Sequence, residues 1–361
     1  MNWILKQKKK EHVLFTLPLP EPPELLNRLR EKFPDIDFEY IQFGTLETFR
    51  NPPTIPRETI AGKTVLVTAG ALPATAADCP DLELIHFISA GINHIQKHPI
   101  YTNSDIPLAT VSGIHGPPIA EWVLMTTLLR NREYERLYEA QKEHRWIEYP
   151  EQRPRDMVGQ RIGILGYGSI GRQVANVSRA MGMEVLAYTA TPKSTPESRK
   201  DHGFVVPGTG DADGTIPSQW FSGTDKADLH NFLSQDLDIL LISVPLTPQT
   251  HHLISKAEFE VLAKRRTFVS NVARGPVIDQ PALVDALKKG NIRGAAVDVT
   301  DPEPLPADDP LWDAPNVVIT PHVSALSAQT LERIFQVIEA NLERKEKGER
   351  LINIVNRKRG Y

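Results

Sequence analysis

The chain has 361 residues, 24% of them charged, with a formal net charge of -4 and one cysteine, Cys79. Such a length calls for more than one domain with a sizeable core; a near-neutral balance offers no broad basic surface for nucleic acid, and one cysteine excludes an internal disulfide and suits a reducing compartment. No apolar run approaches the ~20 residues that span a bilayer, and the opening MNWILKQKKKE is too short and wrongly ordered for a signal peptide, so a soluble cytoplasmic protein with no membrane partner is expected, with Lys8, Lys9 and Lys10 as a solvated face.

In chain order, His12 to Leu17 reads as a strand, Pro22 to Phe33 as a helix with Leu25, Leu26 and Leu29 on one face, and Phe38 to Phe43, Thr64 to Ala69 and Leu84 to Ile88 as further strands. The proline-rich NPPTIPRET is a surface connection. Alternating strands and helices imply a parallel sheet whose ligands collect at the strands' carboxyl ends. That places the loops Ala69 to Leu72 and Ser89 to Asn93 at a candidate cleft. After Gly116-Pro117-Pro118, one long helical pattern is expected from Ile119 to Arg145.

The stretch QRIGILGYGSIGRQVANVSRAMG, residues 160 to 182, is the organising motif. Ile162 to Leu165 suits a buried parallel strand, and Gly166, Gly168 and Gly171 follow at G-x-G-x-x-G spacing where that strand turns into a helix. Gly166 would make the tight turn, Gly168 would let backbone approach a pyrophosphate, and Gly171 would let helix pack on strand. The helix start at Ser169 and Ile170 turns free N–H groups toward the phosphates. A second strand follows at Glu184 to Thr189.

Between Lys200 and Ser234 the pattern breaks into a Gly-, Pro- and Asp-rich run, expected as an exposed insertion with Trp220 and Phe221 as a surface anchor or partner contact. Strands are expected at Asp238 to Val244, Thr267 to Val272, Gly294 to Val299 and Val317 to Thr320, and an amphipathic helix from Ala325 to Leu351 returning to the first domain. The expected fold is α/β: two Rossmann-like, doubly wound parallel-sheet domains with a cleft between them. Residues 1–115 and 323–361 would form a discontinuous substrate-binding domain, and 116–322 the dinucleotide-binding domain.

Three polar segments follow late strands: NVARG at 271–275, DVTDPEPLP at 298–306 and TPHVS at 320–324. An arginine, a carboxylate and a histidine converging at those strand ends suit reduction of a 2-oxo acid. Arg274 offers a permanently charged planar fork for a substrate carboxylate and can polarise the adjacent carbonyl. His322 can donate a proton to the carbonyl oxygen. Glu303 would orient the imidazole and favour its protonated form, and Asp298 could hydrogen-bond a nicotinamide carboxamide. His94, His115, His251 and His252 lack metal-ligand spacing, and no metal is expected.

With those motifs, ISAGINH at 88–94, SVPLTPQTHHLI at 243–254 and AVDVTDPEPLPADDPLW at 296–312, the chain resembles the D-isomer-specific 2-hydroxyacid dehydrogenase family, which includes glyoxylate and hydroxypyruvate reductases. The resemblance implies Arg274, Glu303 and His322 as the catalytic set, with substrate carboxylate binding by Arg274 and the backbone of Ala90 and Gly91. It implies a homodimer formed around the linker helix, with Trp146 near that arm. The expected cofactor contacts are Gly166, Gly168, Ser169, Ile170, Gly171, Thr189, Lys193, Val244, Pro245, Thr250, Val272, Ala273 and Asp298. NAD-using members carry an aspartate at the end of the second strand, where this chain has Thr189. Threonine does not repel a 2′-phosphate, and Lys193 and Arg199 lie near enough in sequence to meet one, so NADP(H) is favoured and NAD(H) remains possible. The expected function is interconversion of a small 2-oxo acid and its D-2-hydroxy acid. The alternative is a corepressor-like, cofactor-gated dimeric binding protein of the same fold. Formate dehydrogenase chemistry is disfavoured by Glu303, where those enzymes have glutamine, and serine biosynthesis by the lack of a further regulatory stretch.

Overall fold

The computed structural model describes residues 10–45, 51–148 and 154–360. Lys8 and Lys9 lie outside the described residues, and Lys10 is exposed. The chain divides into two compact units, Met1–Ser112 with Gln329–Tyr361, and Gly113–Ala328.

The first unit contains β1 (Glu11–Leu17), α1 (Pro23–Lys32), β2 (Ile36–Gln42), the single turn α2 (Arg57–Ile60), β3 (Val65–Thr68), β4 (Leu84–Phe87), the single turn α3 (Pro99–Thr102) and β5 (Leu108–Ala109). The strands form one parallel sheet in the order β2-β1-β3-β4-β5. The second unit runs α4 (Gly116–Asn131), α5 (Tyr134–Lys142), β6 (Arg161–Leu165), α6 (Ser169–Ala180), β7 (Glu184–Thr189), α7 (Pro196–Arg199), β8 (Gln219–Ser222), α8 (Lys226–Leu233), β9 (Ile239–Ile242), α9 (Lys256–Leu262), β10 (Phe268–Asn271), α10 (Gln280–Lys288), β11 (Gly294–Val297) and β12 (Val317–Ile319). The last helix, α11 (Thr330–Lys347), is shorter at both ends than the expected 325–351 and belongs to the first unit.

α11 closes the first unit's sheet with a period-3.6 apolar stripe of Ile334, Phe335, Val337, Ile338 and Leu342. Phe335 stacks on Phe15 of β1 at 5.5 Å. Arg28 and Lys32 of α1 add ion pairs to Glu332 and Glu339. Each buried apolar side chain is worth about 1.5–3 kcal/mol and each exposed pair about 1 kcal/mol at most. The apolar stripe therefore holds the helix, and the pairs only set its register.

The second sheet is entirely parallel in the order β8-β7-β6-β9-β10-β11-β12. Its strand order reverses between β6 and β9, as in a doubly wound nucleotide-binding fold. Both faces are covered, which is why the central strands read as unbroken apolar runs. Ile162, Ile164, Val185 and Leu241 pack with Ile119 and Val123 of α4 and Val174 of α6. Their alternates Leu165, Leu186, Leu240 and Ile242 pack with Phe232 of α8, Phe259 of α9 and Leu283 of α10.

Two expectations are corrected here. The pattern from Ile119 to Arg145 is not one helix: it breaks between α4 and α5, where Glu133 takes a left-handed φ of 52°. Arg130 fixes the break by bonding Glu135 across it and the Asn316 side chain. The 200–234 region is not an exposed insertion either, because it supplies β8 and α8. β8 pairs with β7 and completes the sheet beyond the reversal. Trp220 and Phe221, adjacent on β8, turn to opposite faces, onto Tyr167 at 4.9 Å and Phe232 at 5.6 Å.

Candidate active site

The loop between β6 and α6 has the shape its glycines demand. Gly166 has φ +101°, and a Cβ there would lie 2.8 Å from the Ser243 backbone. A Cβ on Gly171 would meet Gly166 O at 2.4 Å, so only glycine lets α6 start this close to β6. Gly168 differs: a Cβ there would meet nothing within 4 Å. Its bare backbone borders open space at the helix start, as a cradle for a diphosphate requires. Arg172 N–H is bonded to Gly168 O within the helix, so the N–H groups of Ser169, Ile170 and Gly171 precede the first intrahelical bond and point outward. Ser243 Oγ donates to Gly166 O (2.8 Å) and ties the loop to the end of β9. These residues fit a dinucleotide.

Thr189 ends β7, and its Oγ1 donates to Thr191 O (2.8 Å). Arg199, the last residue of α7, donates from Nε to Lys193 O (2.9 Å). Among the described residues, the Lys193 ammonium and the terminal nitrogens of Arg199 make no hydrogen bond or ion pair. After β9, Thr250 closes the turn carrying Val244 and Pro245: its Oγ1 donates to Pro245 O (2.6 Å) and accepts Thr247 N–H (2.8 Å).

Because the sheet is parallel, Arg274, Glu303 and His322 leave β10, β11 and β12 at the same edge as the glycine loop. Buried Asn271 shapes the first departure: its Oδ1 accepts Ala273 N–H (3.1 Å) and its Nδ2 donates to Arg274 O (3.2 Å). Val272 and Ala273 are thereby fixed beside Arg274. Arg274 Nη1 donates to Ala273 O (2.7 Å). Burial lowers the Arg274 pKa from its ordinary value and the charge of Glu303 opposes that, yet a guanidinium stays charged at any working pH.

Gly275 locks this loop to the next. Its α-carbon faces the Thr300 backbone so closely that a Cβ would lie 1.8 Å from Thr300 O. Beyond it, the Glu303 carboxylate accepts Thr300 N–H through Oε1 (3.3 Å) and faces His322 Nδ1 through Oε2 (3.1 Å). A carboxylate only accepts, so Nδ1 carries the proton and Nε2 is the nitrogen left to exchange one. His322 has φ +57°, a left-handed conformation costing a non-glycine residue about 1 kcal/mol or more. Asp298, 1% exposed, holds it there. The Asp298 carbonyl accepts His322 N–H (2.8 Å), and its carboxylate accepts Thr320 Oγ1 (2.6 Å), Val323 N–H (2.8 Å) and Ser324 N–H (2.9 Å). Three of the four lone-pair positions are thus taken by the histidine loop.

Ala90 and Gly91 lie in the first unit, in the bend after β4, where Ser89 Oγ donates to Gly91 O (2.8 Å). The motif reading passed over Asn271 and Ser243, although a short polar side chain at a strand end just before a turn is the ordinary mark of such a brace.

The family model for the NAD-binding domain of D-isomer specific 2-hydroxyacid dehydrogenases matches residues 124–207 and 215–324. A glyoxylate reductase of Thermofilum pendens is 33% identical over 293 residues, which are 77% of this chain and 76% of that protein. A D-isomer specific 2-hydroxyacid dehydrogenase of Xanthobacter autotrophicus, solved with NADPH and MES, superposes with TM-score 0.74 at 27% identity, covering 98% of this chain and 100% of that one. An NADPH-dependent glyoxylate/hydroxypyruvate reductase of Sinorhizobium meliloti, solved with NADP and sulfate, gives TM-score 0.71 at 25% identity with the same coverage.

Proposed function

The chain belongs to the D-isomer specific 2-hydroxyacid dehydrogenase family, and from that premise we propose that it reduces a small 2-oxo acid of the glyoxylate or hydroxypyruvate class to its D-2-hydroxy acid, with NADPH preferred over NADH. It is an oxidoreductase with a nicotinamide cofactor. When bound, that cofactor supplies the hydride. Its diphosphate would be held by Gly166, Gly168, Ser169, Ile170 and Gly171, its adenosine end by Thr189, Lys193 and Arg199, and its remaining length by Val244, Pro245, Thr250, Val272, Ala273 and Asp298.

The chain's own contribution is charge and proton management. Arg274 binds the substrate carboxylate through its fork and draws electron density from the neighbouring carbonyl. His322 delivers the Nε2 proton to the carbonyl oxygen and regains it in the reverse direction. Glu303 keeps the other ring nitrogen protonated and stabilises the imidazolium. The observation that carries this reading is the Glu303–His322 contact of 3.1 Å on a loop that Asp298 pins from both sides. NADPH preference is supported by Thr189 standing where an acidic residue would repel a 2′-phosphate, and by the uncommitted cations of Lys193 and Arg199 beyond it.

The test is oxidation of NADPH and of NADH with glyoxylate, hydroxypyruvate, pyruvate, phenylpyruvate and branched 2-oxo acids. Highest kcat/KM for glyoxylate or hydroxypyruvate with NADPH is expected. A higher value with NADH refutes the cofactor assignment; cofactor binding without turnover on any acid favours the corepressor-like alternative. A homodimer is part of the same proposal, supported by the exposed apolar Met125, Tyr134, Leu137 and Tyr138 of α4 and α5 and by Trp146, which is 88% exposed. No helix among the described residues is long and apolar enough to cross a membrane.

A further inference from the structure

Arg172, in the first turns of α6, is 4% exposed and uses its guanidinium on the main chain of a distant segment. Nη1 donates to Asp211 O and Nη2 to Arg199 O. Its guanidinium lies over the Tyr167 ring at 5.1 Å, and Nε is 3.6 Å from Asp201 Oδ2. Asp211 is knitted in turn to the glycine loop: its Oδ2 accepts Tyr167 OH (2.7 Å) and Ile216 N–H (3.1 Å), and its Oδ1 accepts Thr215 N–H (3.0 Å). Residues 199–216 are therefore a folded brace against the diphosphate cradle.

Arg199 is the residue this brace fixes. Its Nε donates to Lys193 O, its carbonyl accepts from Arg172, and its guanidinium lies over the Trp220 ring at 5.7 Å. Gly214, with φ +65°, presses on it so tightly that a Cβ there would sit 2.6 Å from Arg199 Cβ. An arginine gives up much of its rotamer freedom when held. Here that freedom is surrendered although the terminal nitrogens bond nothing among the described residues. A fork fixed at its stem and left open at its tip is preorganised for a planar or tetrahedral oxyanion. Arg199 closes α7, the segment that follows β7, and the carboxyl end of that second strand is where a dinucleotide's ribose 2′ position is read.

We infer that Arg172 and Trp220 are positioning residues that set cofactor choice, acting through Arg199 on the 2′-phosphate. The inference rests on the NADPH reading above. It adds that discrimination depends on two residues that need not touch the phosphate, one of them on the helix of the diphosphate cradle. A purely structural Arg172 would affect the cradle and the 2′ site alike. A positioning Arg172 affects the 2′ site selectively.

Titration calorimetry with 2′,5′-ADP and with 5′-AMP, which differ only in the 2′-phosphate, separates the two roles without turnover. Wild-type protein is expected to bind 2′,5′-ADP at least about tenfold more tightly, as one or more charge-assisted bonds supply. Arg172→Lys keeps the charge but cannot span both carbonyls. It should cut that ratio by about five- to tenfold while 5′-AMP affinity stays within about twofold. Trp220→Leu, which leaves α6 untouched, should do the same and stands in if Arg172→Lys fails to fold by thermal melting. Arg199→Gln should bring the ratio close to one. A wild type that binds both nucleotides alike overturns the NADPH reading and this inference together. A discriminating wild type whose Arg172→Lys and Trp220→Leu variants keep the full ratio, or lose both nucleotides equally, overturns the inference alone.

Discussion

Gly275→Ala, the addition of one methyl group, tests whether the catalytic loops act as a single body. The new Cβ would lie 1.8 Å from Thr300 O and 2.1 Å from Thr300 C, backbone atoms that cannot rotate away. An ordinary contact begins near 3.4 Å, so the Arg274 loop or the Thr300 loop must give by roughly 1.6 Å. Glu303 is anchored on Thr300 N–H, and its 3.1 Å contact with His322 does not survive a shift of that size. Misplacing catalytic groups by about 1 Å costs on the order of 10² in rate, so kcat should fall by roughly that factor. Overpacking should also cost about 1–3 kcal/mol, lowering Tm by roughly 2–10 °C for a unit of this size. The dissociation constant for NADPH, followed by its fluorescence, should rise by less than about tenfold, well short of the loss in kcat, because Val272, Ala273 and Asp298 lie on or beside the disturbed loops while the glycine cradle and the adenosine end stand on other strands. Steady-state kinetics, a melting curve and that titration decide it. A variant with kcat within threefold of wild type and an unchanged Tm would show that the two loops move independently, and the argument from close packing would be wrong.

His322→Asn should reduce kcat by about 10² to 10⁴, the range for loss of a general acid, while NADPH still binds; near-normal turnover would remove the histidine from the mechanism. A pH effect on stability follows from His86 on β4, which is 1% exposed with Nε2 3.2 Å from Asn341 Nδ2. Asn341 Oδ1 accepts Ile352 N–H, so its amide presents an N–H to the ring and favours neutral imidazole. Burial pushes the His86 pKa down to about 4 from 6.5. Between those values the unfolded chain binds a proton that the folded chain refuses, so stability is lost as pH falls through that window, by roughly 3 kcal/mol in all. Urea midpoints at pH 7 and pH 4 should show a larger acid penalty in wild type than in His86→Gln; equal penalties would place the titration elsewhere.

What could be read from sequence was whatever is written in consecutive residues at a strand end. The glycine spacing from Gly166 to Gly171, the Asn271-to-Gly275 turn and the Pro321-His322 step each carry local geometry in their own letters. β8 was illegible because Gln219–Ser222 is four residues long, sits between Pro217 and Gly223, and is a strand only by virtue of its bonds to β7. The strand-order logic could have found it, since a doubly wound sheet continues beyond its second strand. The break at Glu133 has neither glycine nor proline to announce it. Arg172 was hidden for a different reason: its partners lie 27 and 39 residues along the chain, and nothing in an arginine on a helix says which carbonyls it will meet.

The return of α11 to the first sheet also bears on biosynthesis. Phe15 cannot find Phe335 until 320 later residues have left the ribosome, whereas residues 113–328 form an uninterrupted unit with its own core. The half made first is thus the half that closes last, and the second unit can be complete while the nascent first sheet still exposes the face destined for α11. For that interval the newborn chain carries an open apolar surface, and its safe passage depends on how soon the final helix arrives.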